Sequence, residues 1–180
     1  MRIVVSGTHA SGKSTLISDF AGAHPEFAVL PDPFEELLDD SFEELDAGLF
    51  SRQLDIAARR LAEFPEGSDL IAERGPLDFL AYLHALEALG RIGESTSALE
   101  RAAAVTQRAA EHADLLVLLP LGYSDQIRVG DDEDPELRLA MNAALLDLAG
   151  DPDLAGTRIL ELGGTQAERL AQLEAALRNT

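Results

Sequence analysis

The chain has 180 residues, 46% of them hydrophobic, with 33 acidic side chains against 14 basic ones and a formal net charge of −19. That length and apolar content suit one packed domain spanning residues 1–180, while the charge argues against a nucleic-acid backbone or an anionic membrane as partner. Cysteine is absent, which excludes disulfides and thiolate chemistry. With no signal-like start and no apolar run of membrane length, the expectation is a cytoplasmic protein.

In chain order, Arg2–Gly7 is a short apolar run ending in glycine and reads as a buried first strand. A helix follows from Lys13 to about His24, closed by Pro25. Phe27–Leu30 forms a second strand, ending at Pro31-Asp32-Pro33. From Phe34 to about Phe64 the pattern is helical, with a break expected near Gly48. Asp69–Glu73 is a third strand, followed by Arg74-Gly75-Pro76. The next helix, Pro76–Leu89, has proline in its first turn and Gly90 just past its end. Another helix spans about Ser95–Glu111. Ala113–Leu119 is an apolar fourth strand, and a loop over 120–134 leads to a helix at Pro135–Leu148. Thr157–Leu162 is a fifth strand, before a last helix from Thr165 to about Arg178.

Five apolar strands alternating with helices predict an α/β fold: a five-stranded parallel sheet in a three-layer α/β/α sandwich. Ligands of such folds sit at the carboxyl ends of the strands. Asp32, Glu73, Arg74 and Tyr123 all fall there.

Gly7-Thr8-His9-Ala10-Ser11-Gly12-Lys13-Ser14 matches the phosphate-loop pattern without departure, and Thr15 follows it into the helix. Glycines let the backbone curl so that successive N–H groups face phosphate oxygens, and the helix start adds its positive end. Lys13 is then expected at the β- and γ-phosphates of ATP, and Ser14 on Mg²⁺. Lys13 is also the only lysine, against thirteen arginines. The four histidines, His9, His24, His84 and His112, show no ligand spacing, so no metal beyond nucleotide-bound Mg²⁺ is expected.

A phosphate loop does not fix the fate of the γ-phosphate. Strand 4 ends Leu118-Leu119-Pro120, without the acid of a hydrolysing motor, and a guanine-reading Asn/Thr-Lys-x-Asp element needs a second lysine. Phosphoryl transfer between two bound substrates needs surplus cations around the transferring group. Arg74 follows strand 3, while Arg128 and Arg138 flank an acidic segment, about 121–138, where a lid could close.

The stretch Val5-Ser-Gly-Thr-His-Ala-Ser-Gly-Lys-Ser-Thr15, then Glu73-Arg-Gly-Pro-Leu-Asp-Phe-Leu-Ala-Tyr82, then Asp125-Gln-Ile-Arg128, resembles small AAA-type P-loop proteins. These are related to the ribosylnicotinamide kinase domain of the bacterial NAD-biosynthesis regulator, and more distantly similar to nucleoside and nucleoside-monophosphate kinases. The resemblance implies a nucleotide-kinase-like fold and transfer to a nucleoside, a nucleotide or a similar small acceptor. By that resemblance Glu73 and Arg74 handle Mg²⁺ and phosphate, Asp32 faces the acceptor hydroxyl, Gln53 reads the acceptor, and Arg128 and Arg138 serve as lid arginines. Asp32 is shorter than the usual Glu, so Glu35 or Glu36 could substitute as base. Phe34, Phe42, Phe50 and Phe79 are the aromatics available to an acceptor pocket, with core packing as the competing role. Asp78, Tyr82 and Tyr123 lie near the site, where core or capping roles compete. An ATP-binding regulatory module with slow hydrolysis stands as the alternative, and a homodimer is left open.

Overall fold

The structure is a computed structural model describing residues 1–37, 46–92, 96–122, 134–156 and 158–178. Five strands, β1 (Arg2–Ser6), β2 (Ala28–Leu30), β3 (Leu70–Glu73), β4 (Leu115–Leu118) and β5 (Ile159–Glu161), form one sheet in the order β2-β3-β1-β4-β5. Every pairing is parallel, with Val5 beside Glu73 on one side and Val117 on the other. β1 is central, so the loop that follows it emerges in the middle of the sheet's carboxyl edge.

Among the described residues seven helices cover the sheet: α1 (Lys13–Ala23), α2 (Ala47–Glu63), α3 (Pro76–Ala88), α4 (Thr96–Ala110), α5 (Pro135–Leu148), α6 (Pro152–Ala155) and α7 (Gln166–Arg178). Strand side chains alternate faces with period two. Ile3, Val5 and Val117 therefore pack with Leu16, Phe20 and Leu173 of α1 and α7. Val4, Leu116 and Leu118 pack with the helices of the other layer, including Leu80, Leu137 and Met141. Burying each such side chain contributes about 1.5–3 kcal/mol. The three-layer sandwich expected from the sequence is what the chain forms.

Local differences have local causes. The break expected near Gly48 coincides with the start of α2 at Ala47, Gly48 lying in its first turn. Asp46 caps that helix by accepting from the Leu49 N–H at 2.8 Å, and a capped first turn tolerates glycine. A short 3-10 turn at Pro33–Leu37 precedes it. The strands begin or end a residue or two inside the apolar runs, because only paired residues count as strand. The four-residue α6, capped by Asp151 and opened by Pro152, was not anticipated. Among the described residues, no helix is long and apolar enough to cross a membrane.

Candidate active site

The backbone between β1 and α1 turns through two left-handed residues, Ala10 at φ 51° and Gly12 at φ 91°. Gly12 immediately precedes α1, so the loop delivers its N–H groups to the start of that helix. Gly7 is required for a different reason. A Cβ there would lie 2.6 Å from Ser11 Oγ and 2.8 Å from the Leu119 carbonyl oxygen.

Five successive carbonyl oxygens of this loop accept from cationic side chains. Arg74 Nη1 donates to Gly7 O at 3.2 Å, and Lys13 Nζ to Thr8 O at 2.7 Å. Arg138 donates to His9 O at 3.0 Å and Ala10 O at 3.3 Å, and Arg169 to Ser11 O at 2.8 Å. Holding the negative ends of these peptides favours presenting their positive ends to an anion. The phosphate loop is thereby fixed from β3, α5 and α7 as well as from its own helix.

Arg74 itself takes a left-handed conformation, φ 64°, uncommon for a side chain of this size. Its N–H donates to Val5 O at 3.0 Å, and its guanidinium turns back across the loop. Nε donates to Asp32 Oδ2 at 2.8 Å, and the ring of Tyr82 lies 5.5 Å beneath Cζ. Burial works against the Arg74 charge, but Tyr82, Asp32 and Asp78 outweigh it and hold its pKa above the ordinary value. Asp78 lies behind, fully buried, and accepts from Ser6 Oγ at 2.5 Å, Gly7 N at 2.9 Å and Gly75 N at 3.0 Å.

In front of the loop opens a cavity of about 720 Å³. Lys13, Ser14 and Thr15 line it together with Asp32, Glu35, Gln53, Glu73 and Arg74. Ser14 Oγ donates to Glu73 Oε1 at 2.7 Å. A hydroxyl and a carboxylate this close are the hard oxygen donors that Mg²⁺ takes beside nucleotide phosphates, so the pair fits that ion. Lys13 is only 4% exposed; burial and the neighbouring Arg74 push its pKa down to about 7. His9 is pushed down by burial, Arg74, Lys13 and Arg138, and so stays neutral near pH 7. Aromatic rings line the cavity as well: Phe50 and Tyr82 stack at 4.3 Å with an interplanar angle of 2°, and Phe34 is 41% exposed.

The sequence-derived residues Lys13, Ser14, Asp32, Gln53, Glu73, Arg74 and Arg138 therefore surround one cavity. His9, Ala10, Ser11, Gly12 and Thr15 line it too, while Gly7 and Thr8 lie behind. Arg128, Tyr123 and Phe42 lie outside the described residues. Phe50 and Phe79 combine both roles weighed for them, being core residues that also line the cavity. Asp78 is a core and capping residue, and Glu36 pairs with Arg59 and Arg60. Arg169, 158 residues from the carbonyl it holds, had no sequence signal beyond being one of thirteen arginines.

A family model described as AAA domain matches residues 2–169. Among solved structures, deoxyadenosine kinase from M. mycoides with bound dATP is similar with a TM-score of 0.71 at 13% identity, over 99% of this chain and all of that one. The same enzyme with bound dCTP gives 0.72 at 14% identity, over the full length of both chains. Thymidylate kinase from Candida albicans gives 0.66 at 21% identity, over 98% of this chain and 90% of that one. No curated protein matches the sequence.

Proposed function

The chain belongs to the AAA domain family, and we propose that it is an ATP-dependent phosphotransferase moving the γ-phosphoryl group of Mg·ATP to a nucleoside, a nucleotide or a similar small acceptor. One observation carries this reading. The cavity that the phosphate loop lines is also lined by a carboxylate, an amide and aromatic rings from other elements, among them Asp32, Gln53, Phe50 and Tyr82, more than hydrolysis alone requires. The likeness in fold to deoxyadenosine kinase and thymidylate kinase supports it.

In this reading the loop amides from Gly7 to Thr15 and Lys13 bind the triphosphate. Ser14 and Glu73 would hold Mg²⁺, which would supply positive charge against the phosphates. Arg74 lines the cavity and, held by Asp32 and Gly7 O, would offer Nη2 to an oxygen of the transferring group. Asp32, paired with Arg74 at 2.8 Å, orients or deprotonates the acceptor hydroxyl. Its Oδ1 accepts from the Phe34 N–H at 3.0 Å, which fixes the carboxylate plane. The acceptor oxygen forms its bond to the γ-phosphorus as the bond to the β,γ-bridging oxygen breaks. ADP leaves, and the proton passes to the carboxylate. Arg138, which reaches the carbonyls of His9 and Ala10, adds to the cation set, and by the resemblance Arg128 would serve with it. We place the protein in the cytoplasm, working as one P-loop domain.

A coupled ADP-release assay over nucleosides, nucleoside monophosphates and small hydroxylated metabolites, with Lys13→Ala as control, tests the reading. Acceptor-dependent release that the variant loses supports it. ATP binding with no stimulated release from any acceptor contradicts it and favours a regulatory module.

A further inference from the structure

The four cations that hold carbonyls of the phosphate loop are not equivalent. Lys13, Arg74 and Arg138 also line the cavity, where each can meet a ligand directly. Arg169 does not line it. It is 8% exposed, and its Nη1 donates to Ser11 O at 2.8 Å. A guanidinium is rarely buried unless it is paired, because taking the charge out of water is costly. Here the burial sets it against a peptide oxygen of the loop, and that peptide is its route to a bound molecule.

The peptide in question joins the loop to α1. In a planar trans peptide the C=O and N–H point in opposite directions, so a donor that holds Ser11 O also sets the direction of the Gly12 N–H. Gly12 is the N-cap of α1, with φ 91°. It has no side chain to satisfy the N–H groups of the first turn, which leaves them to an anion. Ser11, fully buried, lines the cavity together with Gly12.

Arg169 can hold this peptide because α7 is itself held. Glu168 Oε2 accepts from the Thr165 N–H at 2.7 Å and from its hydroxyl at 2.8 Å, closing the first turn. Gln166 donates to Asp19 of α1, and Leu173 is fully buried with Leu16 and Phe20. Glu174 lies 3.6 Å from His24 Nε2, at the end of α1. The two helices are thus joined at successive points along α1, and Arg169 extends that contact to the loop.

We propose that Arg169 is a positioning residue for nucleotide binding: through the Ser11–Gly12 peptide it aims the Gly12 N–H at bound phosphates, and so couples the docking of α7 to occupancy of the loop. Lying outside the cavity lining, it contributes alike before and during transfer, which sets affinity and leaves the chemical step alone. The coupling runs both ways: phosphates on the loop strengthen the hold of α7 by the same factor. The proposal rests on the loop binding a nucleotide's phosphates, the part of the phosphotransferase reading that is independent of the acceptor.

Arg169→Met keeps the apolar stem and removes the donors, while Arg169→Lys keeps a charged donor. Both are compared with the parental protein by calorimetric titration of Mg·ATP and of Mg·tripolyphosphate, which has no base or sugar. Arg169→Met should raise both Kd values by the same factor, at least about tenfold, and Arg169→Lys should recover most of the loss. The KM for Mg·ATP should rise in step, with kcat changing less than about twofold. Hydrogen exchange on the parental protein needs no variant. Saturating Mg·tripolyphosphate should slow the α7 amides around Arg169 by about the same tenfold, and Arg169→Met should abolish that slowing. Equal affinities in all three proteins, a loss for Mg·ATP that tripolyphosphate does not share, or α7 exchange indifferent to the ligand would each overturn the inference. A parental protein that binds neither ligand overturns it together with the phosphotransferase reading. Binding and coupling as expected, with no transfer to any acceptor, leave the inference standing and sink that reading alone.

Discussion

Asp78→Ala removes the one carboxylate that touches β1, the phosphate loop and the start of α3 together. Asp78 is 0% exposed and accepts from Ser6 Oγ, Gly7 N and Gly75 N, with Arg74 Nη1 at 3.7 Å. In the alanine variant the Ser6 hydroxyl can rotate to another acceptor, but the two backbone N–H groups cannot. Each buried donor left unsatisfied costs about 1–3 kcal/mol, so the pair predicts a loss of about 4 kcal/mol. Arg74 keeps Asp32, so its own contribution is small by comparison. For a chain of this size the loss corresponds to a fall in Tm of roughly 8–16 °C. Urea unfolding should show the midpoint falling with an unchanged slope. The KM for Mg·ATP should rise as well, because the N–H of Gly7 is released from the position that orients the first peptide of the loop. A loss below about 1 kcal/mol at the parental slope would refute the reasoning, since it would mean that water replaces the carboxylate at no great cost.

Lys13 offers a pH-dependent test. Its pKa near 7 leaves it mostly neutral at pH 8, whereas a bound triphosphate favours the charged form. Binding of ATP at pH 8 should therefore take up about 0.9 proton per site, read by calorimetry in buffers of different ionisation enthalpy, with Kd rising about tenfold per pH unit above that. Zero uptake would show that Lys13 is already charged in the free protein. Asp32→Asn should lower transfer at least about 100-fold while ATP affinity stays within about threefold. Transfer at the parental rate would pass the base role to Glu35. Arg138→Ala frees the carbonyls of His9 and Ala10 and should raise the KM for Mg·ATP about tenfold. An unchanged KM would mean that these two bonds do not shape the loop.

The sheet and the phosphate loop were legible because their signals are local. A short continuous apolar run and a fixed glycine spacing specify Ile3–Val5 and Gly7–Ser14 without help from the rest of the chain. Asp32, Glu73 and Arg74 were legible because the fold class places the ends of the strands together. What the sequence could not reveal depends on side chains arriving from afar. Arg169 reaches Ser11 O from the last helix, and the environment of Asp78 is set by Ser6 and Gly7 on another strand. Gly48 marked a helix boundary, and the Asp46 cap two residues earlier sets where α2 starts. Gln53 was named only by resemblance, and its burial beside Phe50 and Tyr82 follows from how α2 docks on α3.

The most direct test of the account follows the γ-phosphoryl group itself. The protein is incubated with Mg²⁺, γ-labelled ATP and a mixture of nucleosides and nucleoside monophosphates, and the label is traced through the products. The account predicts label in a new phosphate ester of one acceptor, formed in equal amount with ADP and lost with Lys13→Ala. Label that remains in ATP, or that appears only as inorganic phosphate whatever acceptor is present, would contradict it.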